Sequence, residues 1–435
     1  MKRKLMAKLM EWRLDKRRKP LILEGARQVG KTYLLKEFGR KYYDNVIYIN
    51  LENPSPELST LFDGAISPER IITSLELLYH EEISKKRTLI FFDEIQELPR
   101  ALTSLKYFCE EAPEYHIVAS GSLLGLFLHS GTSFPVGKVD LMRLEPMNFE
   151  EFLWASGEKR ITEHLKSNLE DGLFDEVLLD NFRHYLAVGG MPEAVKLWVD
   201  EHNITKVEQV HNFILQNYLS DFSKHTDATT SMRIRQVWDS LVSQFAKNND
   251  KFVYGAIRSG ARARDFEIAI QWLVDSGIVR KVMKVSAGNS IPLKAYQNPS
   301  AFKLYFIDIG LLRTLAQIPT PVIMQKDALF NEFNGLLAEQ YVLQQLAPRT
   351  LYFWTSDAKS EVDFVTQISS DITPIEVKSG ENVRAKSLQV YRKKYNPRLA
   401  VRFSLKKLEY NSGLLNVPLY KSWLFDRLVD SHRVS

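Results

Sequence analysis

Across residues 20–150, short apolar runs alternate with stretches of helical periodicity. Leu21–Leu23, Val46–Leu51, Thr88–Phe92 and His116–Ser120 read as strands. Tyr33–Phe38, residues 69–84 and a segment through Leu102 to Glu110 read as helices between them. In the second of these helices, Ile71, Ile72, Leu75, Leu78 and Tyr79 fall on one face. Strands that are apolar throughout, each separated from the next by a helix, predict a parallel sheet covered on both sides and hence an α/β fold. Ligands in such sheets bind at the carboxyl ends of strands, where Gly25, Asp93 and Ser120 all fall.

The pattern changes further along. Residues 151–228 are helix-rich, with Phe149–Ala155, Asp180–Tyr185 and Val207–Phe222 as segments, and Gly189-Gly190 before Pro192 marks a turn into a helix. Residues 229–315 hold a helical run (Val237, Leu241, Phe245), a second helix Asp265–Ser276 closed by Gly277, and two strand-like stretches, Ile278–Val285 and Lys303–Asp308. Helix, turn, helix and two strands is the order of a winged helix. Arg262 and Arg264 stand at the start of its second helix, and Arg280, Lys281 and Lys284 on the wing, where DNA contacts would lie. A packing module with solvated basic residues fits the same pattern. Residues 330–425 alternate again, with a helix over Asn334–Leu346 and strands at Leu351–Trp354, Ser360–Val365 and Pro374–Lys378. Ahead of all this, residues 1–19 place Leu5, Met6, Leu9 and Trp12 at helical spacing, which predicts a basic amphipathic helix packed on the next domain.

Composition adds bounds. A chain of 435 residues predicts two or three domains. The formal net charge of +5 permits a nucleic-acid partner without demanding one. Cys109 is the sole cysteine, so an intramolecular disulfide and a Cys-rich zinc site are excluded, and a cytoplasmic setting fits. No run of 18 apolar residues predicts a membrane span.

The chemistry begins after the first strand. Gly25-Ala26-Arg27-Gln28-Val29-Gly30-Lys31-Thr32, followed by Tyr33, satisfies G-x-x-x-x-G-K-[ST] between a strand and a helix. Its glycines let backbone N–H groups turn inward around phosphate oxygens, and the helix that follows points its positive end at the same anion. Lys31 would then reach the β- and γ-phosphates of a bound nucleotide, and the Thr32 hydroxyl would sit on Mg²⁺. Asp93, at the end of a buried strand, is the second Mg²⁺ candidate, and Glu94 the general base for water. The simpler alternative for this pair is two acidic residues favouring the start of a helix.

GARQVGKT, LIFFDEIQ and IVASGSLLG resemble the Walker A, Walker B and sensor-1 elements of AAA-plus ATPases. The resemblance is to the prokaryotic branch that carries a C-terminal domain of unknown function, and the stretches Leu144–Phe152 and Gly189–Ala194 share it. It implies phosphate and Mg²⁺ roles for Lys31 and Thr32, a metal role for Asp93, a catalytic base at Glu94, and sensor 1 at Ser120 or Ser122. It also implies that residues 151–228 form a helical lid. Family members usually show Gly-Arg where this chain has Gly137-Lys138; Arg143 is the nearby substitute for an arginine finger, and a surface arginine is the simpler reading.

A second constellation lies in the last third. Glu376 and Lys378 sit two apart on a predicted strand and so face one side, and Asp363 on the neighbouring strand joins them. Glu339 … Asp363 … Glu376-x-Lys378 resembles the PD-(D/E)XK nuclease core, with Gln389 and Tyr391 at matching polar positions in the next helix. The resemblance implies a divalent-metal site at Glu339, Asp363 and Glu376, with Lys378 beside the attacking water. An ordinary ion pair in a retained binding fold is the alternative. Arg384, Lys386, Arg392, Lys393, Lys394, Arg398, Arg402, Lys406 and Lys407 make the region basic, which suits a DNA or RNA backbone. The reading that follows is an Mg-ATP-dependent ATPase coupled to a nucleic-acid module. Its alternative is a nucleotide-dependent switch with little turnover and a non-cleaving C-terminal domain. A homo-oligomer or a protein partner fits either one.

Overall fold

The computed structural model describes residues 1–122, 134–224, 226–246, 251–324, 333–356, 360–380 and 386–433. The chain forms two compact units, Lys2–Glu145 together with Asp275–Ile278, and Pro146–Val274 together with Val279–Ser435.

The first unit is built on five strands: β1 (Leu21–Glu24), β2 (Asn45–Asn50), β3 (Thr88–Asp93), β4 (His116–Gly121) and β5 (Asp140–Arg143). Their order is β2-β3-β4-β1-β5, and every pairing is parallel. All six residues of β3 and of β4 are buried, which is why those segments show apolar runs and not alternation. On one side Ile47, Ile49, Ile90, Phe92 and Ile117 pack with Ile71, Leu75, Leu102 and Leu105 from the helices Pro68–Tyr79 and Pro99–Glu111. In the first of these helices the apolar stripe stays buried through Leu75 and runs out in the last turn, where Leu78 is 38% exposed, contrary to expectation. The N-terminal helix is Leu5–Leu14; it buries Leu9 and Trp12, with the Trp12 ring 6.4 Å from Phe38. Strand β5 escaped the periodicity reading because it is a short edge strand in which no residue is fully buried.

The second unit joins segments that the sequence divides. Its sheet contains β6 (Val279–Val285), β7 (Gln297–Phe306), β8 (Tyr352–Thr355), β9 (Glu361–Ile368), β10 (Asp371–Val377), β11 (Ala400–Ser404), β12 (Glu409–Asn411) and β13 (Leu414–Pro418). The order is β12-β13-β11-β10-β9-β8-β6-β7, mixed parallel and antiparallel. Strands β6 and β7, expected as the wing of a separate module, are thus one end of this larger sheet: β6 pairs antiparallel with β7 and parallel with β8. The helices Phe149–Ala155, Asp175–Val188, Pro192–Glu201 and Ile204–Lys224, expected as a lid, belong to the same unit.

The Gly189-Gly190 turn shows why. A Cβ on Gly190 would stand 2.0 Å from the Met147 carbonyl oxygen, and the Gly190 N–H donates to the buried Asp308 carboxylate at 2.6 Å. Gln344 Nε2 donates to that carboxylate and to the Tyr185 hydroxyl, both at 2.9 Å, so helices from three parts of the chain meet on one buried acid.

Candidate functional site

The loop Gly25–Thr32 leaves the end of β1 and enters the helix Lys31–Tyr42. Gly30 (φ 92°) and Gln28 (φ 66°) take the left-handed backbone that coils the loop. Gly25 is fixed by space, since a Cβ there would meet the Leu144 carbonyl oxygen at 2.3 Å. The Lys31 ammonium is buried and donates to the carbonyls of Gly25 and Ala26, both at 2.9 Å, and to Ser122 Oγ at 3.0 Å. Burial pulls Lys31 down to about 8, against the opposing pull of Glu94 and Asp93. Its hydrogen-bond partners are neutral dipoles, so this is a cation poised for an anion.

The carboxylates stand where β3 ends. Asp93 Oδ1 accepts from Thr32 Oγ1 at 3.1 Å and from Ser120 Oγ, while its Oδ2 accepts from the Tyr48 hydroxyl at 2.9 Å. Thr32 and Asp93 are hard oxygen donors side by side, the donor chemistry that fits Mg²⁺. Glu94 Oε1 accepts from Ser122 Oγ at 3.0 Å and Oε2 from Gln96 Nε2 at 2.6 Å. Glu94 does not open an α-helix. It has a left-handed φ of 53° ahead of a single 3₁₀ turn, Ile95–Glu97, so the dipole account of the acidic pair loses its helix.

The two serines divide the work between the carboxylates: Ser120 touches Asp93, and Ser122 bridges Lys31 to Glu94. Of the remaining loop positions, Ala26 and Val29 are buried, Arg27 and Gln28 are partly exposed, and the Tyr33 side chain stands 57% exposed on the following helix. Arg143 pairs with Glu145 at 3.2 Å, and Lys138 with Glu110 at 2.9 Å. Leu123–Gly125 of the sensor-1 stretch lie outside the described residues.

Several contributors were not anticipated. Tyr48 and Gln96 orient the two carboxylates, and nothing in their spacing singles them out. Arg3 Nη1 donates to the Val29 carbonyl at 2.9 Å and so steadies the loop from the N-terminus. Asp275–Ile278 belong to this unit from far along the chain: Asp275, Ser276 and Gly277 line a small cavity with Glu24, Gly25, Ser122 and Arg143. Gly277 was expected as a helix cap. It has the required φ of 76°, and a Cβ there would lie 3.0 Å from Arg143 Nη2 and 3.5 Å from Ala26 N.

In the second unit, Asp363 on β9 and Glu376 on β10 are buried neighbours of an antiparallel pair, and Lys378 Nζ meets Glu376 Oε1 at 2.6 Å. Asp363 Oδ2 accepts from the Val377 N–H at 2.6 Å. Glu339 Oε2, from the helix Phe333–Gln345, accepts from the Tyr305 hydroxyl at 3.0 Å. Burial, then the charges of Glu339 and Glu376, push Asp363 well above the ordinary carboxylate range. Burial also raises Glu376 despite Lys378. The four expected residues therefore come together.

Among the described residues, no group of three or more His, Cys, Asp or Glu side chains is disposed to hold an ion. Lysine, tyrosine and a backbone N–H meet the carboxylates instead. Tyr391 is structural, buried against Trp354 and donating to the Gly288 carbonyl at 2.5 Å. Arg262 and Arg264 are exposed, whereas Arg280 Nη1 is turned to the Leu343 carbonyl at 3.4 Å. Arg384 lies outside the described residues.

Residues 17–153 match the family model described as an AAA domain. Residues 179–322 and 334–421 match two models described as domains of unknown function. Uncharacterized proteins of Mycobacterium bovis and Mycobacterium tuberculosis are each 23% identical over 375 residues, 82% of this chain and 70% of theirs. Among solved structures, the Walker-type ATPase of Pyrococcus abyssi is 14% identical, with 72% of this chain and 95% of that one covered and a TM-score of 0.43. The ORC1 protein of Aeropyrum pernix in complex with DNA is 14% identical, with coverage of 74% and 92% and a TM-score of 0.31. Among the described residues no helix is long and apolar enough to cross a membrane. With the loop, the acidic strand end and the all-parallel sheet in place, residues 17–153 are an AAA-type P-loop NTPase domain.

Proposed function

We propose that this protein hydrolyses Mg-ATP in its N-terminal domain and couples that reaction to a C-terminal unit that binds nucleic acid. The observation that carries the ATPase reading is a pair of adjacent polar chains, Lys31–Ser122–Glu94–Gln96 and Thr32–Asp93–Ser120. The coiled loop, with Gly25 pressed on Leu144 and a buried lysine lowered to about 8, supports nucleotide as the ligand. When bound, the ion neutralises charge on the phosphate oxygens; Thr32 and Asp93 would hold it.

The rest is done by the chain's own groups. Lys31 exchanges two carbonyl partners for phosphate oxygens, and the charge-assisted bonds are the stronger ones. Glu94 leaves Ser122 and Gln96 and takes a proton from the attacking water. Ser120 and Tyr48 hold Asp93 in place meanwhile. The restrained position of Glu94 also supports a second reading, a nucleotide-dependent switch in which that release rarely occurs.

For the C-terminal unit the reading is binding without cleavage. Lys378 meets Glu376 Oε1, the Tyr305 hydroxyl Glu339 Oε2 and the Val377 N–H Asp363 Oδ2. The basic residues after 385 support a polyanionic partner. Phosphate release from Mg-ATP, measured with and without a single-stranded oligonucleotide, tests the coupling. Coupling predicts a several-fold change in rate that saturates with the oligonucleotide. A rate that stays flat across the whole range contradicts it.

A further inference from the structure

We infer that two turns at one end of the mixed sheet form a binding site for a nucleic-acid strand, with a phosphate pocket at Arg392, Lys393 and Arg398 and an adjoining polar pocket at Arg402, Glu409 and Asn411. This rests on the nucleic-acid reading above and gives it a place.

The first turn closes the helix Lys386–Tyr395. Asn396 takes the left-handed conformation (φ 46°) and donates its N–H to the Arg392 carbonyl at 2.9 Å. The second is the β12–β13 hairpin turn, Ser412 (φ 48°) and Gly413 (φ 75°), whose two positive φ values match the twist of the strands it joins. Four residues after Asn396, the Ala400 N–H at the start of β11 donates to the Gly413 carbonyl of the second turn at 2.9 Å. The walls are therefore built on fixed backbone.

Between the turns lies a pocket of about 460 Å³ whose lining includes Arg392, Lys393, Asn396, Arg398, Ser412 and Gly413. Its lining carries three cationic side chains and no carboxylate. Two of the guanidinium groups are aimed by bonds to backbone carbonyls, Arg392 to Ser412 and Arg398 to Arg433. Lys394, adjacent in sequence, instead lies over the Trp354 and Tyr395 rings at 5.6 and 5.0 Å. Arg392 and Lys393 face the pocket, while Lys394 is exposed beside those rings.

A second pocket of about 270 Å³ shares Arg392 and Ser412 and adds Arg402, Glu409 and Asn411. Arg402 is set by a 3.0 Å bond from its Nε to Asn416 Oδ1. Register fixes this pocket relative to the polar cluster: Glu376, Arg402, Asn416 and Glu409 are consecutive partners across β10, β11, β13 and β12. Partners in register point to the same side of a sheet. A strand seated on Arg392 and Arg402 therefore lies one sheet position from Glu376 and its partner Lys378.

The pairing of pockets favours a nucleic acid over an acidic peptide. The first pocket takes a phosphate by charge. In the second, Glu409 repels another carboxylate but accepts from a sugar hydroxyl or an exocyclic amine, while Asn411 offers an amide.

The test is fluorescence anisotropy of a labelled single-stranded oligonucleotide with the full chain, over a salt series. The variants are Lys393→Glu, which alters a surface side chain only, and the double variant Lys393→Gln/Arg398→Gln. Melting temperature and ATP turnover serve as controls. Binding should weaken at least about tenfold, and the plot of log affinity against log salt should become shallower by about 1 to 2, as expected when one or two phosphate contacts are lost. If the oligonucleotide binds and neither variant changes affinity or slope, this placement is wrong while the nucleic-acid reading stands. If the full chain binds no oligonucleotide, both fail. Equal, variant-sensitive binding of polyglutamate or of anionic vesicles overturns the choice of partner.

Discussion

The most informative single residue is Lys31. A buried ammonium bonded to two carbonyls and a hydroxyl has surrendered its hydration for neutral dipoles, and burial draws it down to about 8. The direction matters for pH. In the folded chain without nucleotide, Lys31 loses its proton as pH rises through about 8, whereas an unfolded lysine keeps it to its ordinary 10.5. The unfolded state thus binds more protons in that window, so this residue's penalty on stability fades as pH rises through it. Phosphate oxygens favour the charged form, so nucleotide binding takes up a proton there. Affinity for ATP should fall as pH rises from 7 to 9. In Lys31→Met, affinity should be weak and its pH dependence flattened, read by titration with a fluorescent nucleotide. An equal pH slope in the two proteins contradicts this account of the lysine.

At the scale of elements, legibility followed burial. Strands β1, β3 and β4 could be read because two-sided burial writes a continuous apolar run, and their ends carry the loop and the carboxylates. Strand β5 could not, because Leu141 on it is 53% exposed and no pattern remains. The helix–turn–helix–strand–strand order was legible, but local periodicity contains no term for long-range pairing. The parallel contact of β6 with β8, across some seventy residues in register Met283 to Tyr352, was therefore invisible. So was the placement of Gly277 against Ala26, although its glycine was read correctly as a helix end. In the C-terminal cluster, spacing two apart did place Glu376 beside Lys378. What spacing cannot report is occupancy, since whether lysine or metal satisfies the carboxylates depends on burial and angle.

The Gly189-Gly190 element gives a direct test of how the second unit is held. Gly190→Ala puts a methyl group onto the Met147 carbonyl, 2.0 Å away, and pushes the turn off Asp308. We expect a loss of at least about 1–3 kcal/mol, the range for overpacking, in urea unfolding followed by circular dichroism. A midpoint unchanged within error would mean the turn is more pliant than its contacts imply.

For the whole molecule, the division of labour is between two compact units of different architecture. One is an all-parallel sheet carrying a phosphate loop, and the other a mixed sheet with a cationic edge. The segment Asp275–Ile278 is the place where the chain, having built most of the helices of the second unit, contributes to the ATPase unit again before continuing into β6. Strand β6 begins at Val279, directly after this segment in the sequence. Coupling depends on turnover at the N-terminal site. The direct measurement is steady-state phosphate release from Mg-ATP by the full chain and by Glu94→Gln, with nucleotide binding measured alongside. The account predicts that the variant binds nucleotide normally and hydrolyses it at least about 100-fold more slowly, the scale of a lost general base. Equal turnover by the two proteins would contradict it.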